Sequence, residues 1–139
     1  MYIVNDMSLL LCLAKFRLLD LLPSGSIVIS KFKIFDYGAT TKRQLLNYPQ
    51  IEQQSIDDLE LFESWRSGKN LQLSDGDLST IYIAMKNPPL IVLTSDDDLF
   101  LSDICDRCGV HHKKWDEVMR EIADERTLEL YKLIKISNL

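Results

Sequence analysis

The chain has 139 residues, 46% hydrophobic and 27% charged, with a net charge of −5. That length fits one domain with a proper core, and the composition is ordinary for a soluble globular protein. The acidic balance argues against a protein built mainly to coat nucleic acid, but it is compatible with an acidic site bordered by a local basic rim.

Tyr2-Ile3-Val4 reads as a short buried strand. Met7 to Phe16 reads as a helix that is apolar on nearly every side, and so buried on more than one face. This apolar run has no basic segment before it and no small-residue cleavage site after it, unlike a signal peptide. Lys15 and Arg17 end it far short of the ~20 residues of a membrane span. Leu18 to Leu22 continues as a short helix, stopped by Pro23-Ser24-Gly25.

Ser26 to Ile29 predicts the second strand, after which Ser30 caps a helix running through Asp36-Tyr37 to Gly38. Thr40 to Leu46 reads as a further short helix, and Ile51 to Ile56 as an edge strand or an extended connector. Asp57 to Ser67 predicts an amphipathic helix with Leu59, Leu61, Phe62 and Trp65 apolar. Ser74 opens a helix to about Lys86, ended by Asn87-Pro88-Pro89. Leu90 to Thr94 is the clearest strand of the chain. Asp97 to Cys108 predicts a helix ended by Gly109, and Val110-His111 a last short strand. From about residue 114 the domain carries a C-terminal helical extension, with a break near Asp124 to Thr127. Val118, Ile122, Tyr131 and Ile134 form an apolar stripe there, suited to core, dimer or partner contact. Strands alternating with helices predict a three-layer α/β/α domain with a mostly parallel central sheet.

Four acidic stations punctuate this pattern: Asp6, Asp36, Asp77 and the run Asp96-Asp97-Asp98. Asp6 and Asp96 directly follow predicted strands, and acids at strand ends of an open α/β sheet converge on one crevice. Converging carboxylates bind Mg²⁺ or Mn²⁺, and such ions perform phosphodiester chemistry. Each acid also has a structural reading. Asp6 is a good N-cap. Ser74-x-x-Asp77 resembles a capping box. Yet Asp77 shares a helical face with Ile81 and Ala84, and an isolated charge on a core-facing stripe is costly unless paired or metal-bound. The 96–98 run suits a helix N-terminus. Asp36 lies near a helix end, where a surface acid fits as well.

Cys12, Cys105 and Cys108 make no disulfide framework, which fits a reducing cytoplasm. The lone C-x-x-C of Cys105 and Cys108 lacks the second pair a zinc site usually has. No glycine-rich phosphate loop, G-x-S-x-G elbow or H-E-x-x-H is present. His111-His112-Lys113-Lys114 is a small basic patch, open to phosphate contact or to simple solvation.

Three blocks together resemble the PIN-domain nucleases, especially the VapC-like toxins. Val4-Asn5-Asp6-Met7-Ser8, continuing through Leu9 to Lys15, is similar to the family's opening strand, its D-x-S acid and its first helix. Leu73 to Ala84 is similar to the block where an acid begins an apolar helix, and Leu90 to Phe100 to a strand ending in L-T-x-D. The second acidic block departs from the family: Asp36 stands where Glu is usual, and Asp77 where close relatives often have Glu. The resemblance implies a metal-dependent endoribonuclease. Asp6, Asp77 and Asp96 would hold Mg²⁺ or Mn²⁺, with Asp36 completing the catalytic set and Asp98 a further metal-ligand candidate. Ser8 and Thr94 would support those ligands or their waters. The family's toxins commonly have an antitoxin partner and form homodimers, with RNA as substrate and no membrane. Two alternatives remain open: a PIN-like interaction module without catalysis, and a phospho-receiver domain, whose fold calls for adjacent acids after the first strand.

Overall fold

The computed structural model describes residues 1–35, 37–68, 73–95 and 98–137. Its centre is a strand so apolar that both faces must be covered: β1 (Tyr2–Val4), whose Ile3 and Val4 are fully buried. β2 (Ile27–Ser30) pairs with one flank of β1, and β4 (Ile91–Thr94) with the other. β3 (Ile51–Gln54) and β5 (His112–Lys114) close the two edges. The order is β3-β2-β1-β4-β5, and every pairing is parallel.

Strand side chains alternate between faces, so Ile3, Val28 and Val92, level in register, enter one core. Val4, Ile29 and Leu93, one step on, enter the other. The first core packs against α4 (Leu59–Ser67), α5 (Asp75–Lys86) and α6 (Leu99–Arg107) through Phe62, Ile81, Leu101 and Ile104. Its aromatic part sets Phe62 edge-to-face with Phe32 and Tyr82, at centroid distances of 5.5 and 5.3 Å, and stacked on Trp65 at 6.3 Å. The second core takes α1 (Met7–Lys15), α7 (Trp115–Ile122) and α8 (Glu125–Ser137), with Leu45 of α3 (Ala39–Leu46). These are the three layers the strand–helix alternation predicts.

Several boundaries differ from expectation. The helix after Ser30 is a single turn, α2 (Lys31–Ile34), rather than one reaching Tyr37. The last strand is His112–Lys114, not Val110-His111. Val110 is instead buried in the connection, its N–H donating to the carbonyl of Cys105 at 2.9 Å. The C-terminal stripe is core: Val118, Tyr131 and Ile134 are buried against α1. Tyr131 Oη and Lys135 Nζ both donate to Asp116 Oδ1 at 2.6 Å, clamping α8 onto α7. Among the described residues, no helix is long and apolar enough to cross a membrane.

Candidate functional site

In this order β1 and β4 form the switch point, because the crossovers leave β1 toward β2 on one side and enter β4 on the other. Ligand crevices of open parallel sheets lie outside the strand carboxyl ends at such a point. Here the carboxyl ends bring Asn5 after β1, Ser30 at the end of β2 and Thr94 at the end of β4.

Asp77 is the acid most firmly held in this region. Ser74 caps α5, and the capping box is complete: Asp77 N–H donates to Ser74 Oγ at 3.1 Å, and Ser74 N–H to Asp77 Oδ2 at 3.3 Å. The other carboxylate oxygen turns inward. Asp77 Oδ1 accepts from Asn5 Nδ2 at 2.8 Å and from Lys33 Nζ at 2.6 Å. Capping and an inward role are therefore not alternatives, since the two oxygens divide them. Burial alone would push this carboxyl up, but the bonds from Lys33 and Asn5 outweigh it, and the group titrates below its ordinary range.

The partners of Asp77 are themselves fixed. Asn5 is buried, and its Oδ1 accepts from Thr80 Oγ1 at 2.9 Å, so the amide can aim only its NH₂ at Asp77. Lys33 is placed by Ser30, whose Oγ accepts from the Lys33 N–H at 3.1 Å. Ser79 Oγ donates to the carbonyl of Gly76 at 2.6 Å, so Ser30 supplies the proton of the 2.6 Å bond between the two hydroxyls. Gly76 leaves the space for the lysine stem: a Cβ there would lie 2.8 Å from Lys33 Cδ and 3.3 Å from its Cα.

The remaining candidates are more dispersed. Asp6 is the N-cap of α1, its Oδ1 accepting from Leu9 N–H at 3.0 Å, and it adjoins Asn5 in the chain. Ser8 is exposed in the first turn of that helix. Thr94 is buried and donates through Oγ1 to the carbonyl of Lys113 at 3.4 Å, across to β5. Asp98 caps α6, its Oδ1 accepting from Leu101 N–H at 3.1 Å. Asp36, Asp96 and Asp97 lie outside the described residues. Among the described residues, no group of three or more His, Cys, Asp or Glu side chains is placed to hold a metal ion.

Asn5 and Lys33 are the polar residues that sequence reasoning passed over. Asn5 had a signal, since it is the first polar residue after a wholly apolar strand. Lys33 had none, as its partner is 44 positions away. The basic patch is partly neutralised: His112 Nε2 lies 2.8 Å from Asp106 Oδ1, and Lys113 Nζ 3.6 Å from Glu121. Cys105 is buried in α6, and burial pushes its thiol up to about 12, so it carries almost no thiolate near neutrality.

The donor chemistry suits a hard divalent cation, because carboxylate oxygens are what Mg²⁺ and Mn²⁺ prefer. In this structure the cation on Asp77 Oδ1 is the Lys33 ammonium, at hydrogen-bond distance. Compared with known proteins, the chain matches no family model, no curated protein and no solved structure.

Proposed function

We propose that this chain is a Mg²⁺- or Mn²⁺-dependent endoribonuclease working at the crevice above β1 and β4. The observation that carries the reading is the cation-bearing carboxylate of Asp77, tied by Asn5 to the carboxyl end of the central strand. Asp6 and Asp77 would hold the ion, with Asp36 and the acids after β4, Asp96 or Asp98, completing the set. Such an ion supplies an acidified water and charge neutralisation for phosphodiester hydrolysis. The chain's own residues supply orientation. Thr80 fixes the Asn5 amide, Asn5 aims Asp77, and Ser74 holds its second oxygen. An RNA substrate, an antitoxin-like partner and a homodimer belong to the same proposal. So does a reducing cytoplasm, which the three free cysteines suit.

A second reading has its own support. Lys33 already neutralises Asp77, as expected of a PIN-like interaction module that has exchanged a metal for an internal ion pair.

Cleavage of a mixed RNA pool with Mg²⁺ or Mn²⁺ separates the two. The nuclease reading expects cleavage by the wild type that EDTA abolishes and that Asp6→Asn and Asp77→Asn lack. Equal cleavage by all three proteins would mean contamination and withdraw the support. No cleavage, with a transcriptome-wide pool included, favours the module.

A further inference from the structure

We infer that the groove between α2 and the start of α4 is the contact face of a symmetric dimer, in which Lys31 of each copy meets Asp57 of the other. This gives the homodimer named with the proposed function a specific face, and it rests on the groove and its charges rather than on nuclease activity.

The groove holds about 410 Å³, with Lys31, Phe32 and Phe35 on one wall and Ser55, Ile56 and Leu59 on the other. Ser55 and Ile56 also border a second hollow of about 250 Å³, which Leu61 helps to line. Phe35, Leu59 and Leu61 are large apolar side chains left exposed, Phe35 to 79%. Exposed singly, such residues are ordinary. Three of them about two adjoining hollows mark a surface suited to burial against another molecule.

The charges say which molecule. Lys31 stands on the α2 wall, and Asp57 on the facing wall, in the chain between Ile56 and Leu59. Both are exposed, and among the described residues neither has an ion-pair partner. Opposite charges on facing walls, with apolar side chains between them, make a surface complementary to itself. A two-fold axis exchanges the walls, so Lys31 of each copy faces Asp57 of the other, and Phe35 faces Leu59. A uniformly acidic partner would set like charge against Asp57, and a uniformly basic one against Lys31. The segment carrying Asp57 continues from β3, the outermost strand on this side of the sheet. The groove therefore lies at an edge, where a second copy has access.

The test is sedimentation velocity of the full chain over a concentration series, without RNA or metal. Wild type should form dimers, and Phe35→Ser should weaken them about tenfold or more. Lys31→Glu and Asp57→Lys should each weaken them as well, because each reversal sets two like-charge contacts across the axis. Mixed in equal amounts, those two variants should pair again, since each supplies the charge the other lacks. That rescue separates contact between copies from contact within one chain. All these substitutions are at exposed positions, and circular dichroism checks folding. A monomeric wild type overturns the inference, as does a dimer that survives Phe35→Ser or a mixture of the charge variants that stays monomeric. A dimer broken instead by Leu133→Ser, in the hollow between α1 and α8, overturns it by moving the contact elsewhere. A monomer that binds an anilinonaphthalene sulfonate dye, and loses it with Phe35→Ser, overturns it in favour of a small apolar ligand. RNA cleavage by a monomeric wild type would keep the nuclease and sink the dimer face, and a dimer without cleavage would do the reverse.

Discussion

Lys33 Nζ and Asp77 Oδ1 meet at 2.6 Å across 44 positions of chain, joining the turn after β2 to the first turn of α5. Both side chains are mostly withdrawn from water, so neither charge is well satisfied without the other. Lys33→Met or Asp77→Asn alone should each cost about 1–3 kcal/mol, because each strands its partner. The double variant should cost less than the sum, with a coupling of about 1–2 kcal/mol in a double-mutant cycle. Urea denaturation measures all four proteins, and strictly additive losses would show that the pair contributes nothing as a pair.

The same contact makes stability depend on pH in a defined direction. Asp77 titrates below its ordinary range when folded, despite burial, because of Lys33 and Asn5. The folded state therefore binds its proton less firmly than the unfolded chain does. Its contribution is complete above the unfolded value, about 3.9, and is lost as pH falls through the lower folded one. The stability gap between wild type and Asp77→Asn should narrow on acidification below about pH 4. A gap that widens there contradicts the assignment.

Cys105 makes the opposite kind of prediction. Its thiol, pushed up to about 12 mainly by burial, carries almost no thiolate near neutrality. Native protein at about pH 8 should leave Cys105 unalkylated by iodoacetamide, while guanidinium should expose it. Peptide mapping by mass spectrometry reads the outcome, and rapid native labelling of Cys105 would refute its burial. Because the folded value is raised, the stabilising effect holds below the unfolded value of 9.0 and is lost as pH climbs toward 12.

The C-terminal helix should behave as core. Ile134 is 5% exposed and packs in the same cluster as Leu10 and Leu13 of α1. Ile134→Ala should cost about 2–4 kcal/mol and lower the melting temperature accordingly. Ile136, 67% exposed on the same helix, is the control, and Ile136→Ala should change stability by less than about 0.5 kcal/mol. Equal effects at the two positions would mean that α8 does not dock as described.

The sequence disclosed the architecture where hydrophobicity decides it. β1, β2 and β4 are apolar up to the Ser30 and Thr94 that end the latter two, because two cores cover them, and such runs stand out in any register. β5 was misplaced because it is an edge strand of His112, Lys113 and Lys114. Its backbone pairs with β4 without needing apolar side chains, while the apolar Val110 serves the connection before it. At the candidate site, Asp77 was legible because a capping signature and an apolar stripe coincide on one helix. The Lys33 contact was not, because it depends on how α2 packs across α5 at Gly76, a tertiary event without local trace. Of the two acids read from strand ends, Asp6 caps α1, and Asp96 lies outside the described residues, as does Asp36.

The order of the sheet has a consequence for how the molecule comes together. β1 can join β2 through nearby chain, but its other neighbour, β4, lies beyond α5 in the sequence. Pairings between distant segments are the slow ones. Asn5 meets Thr80 and Asp77 of α5 across a similarly long stretch of chain, so a half-assembled chain has neither the locked amide nor the compensated acid. Completion of the fold and assembly of this polar cluster therefore go together, and a misfolded copy would lack the Asn5–Asp77 and Lys33–Asp77 contacts.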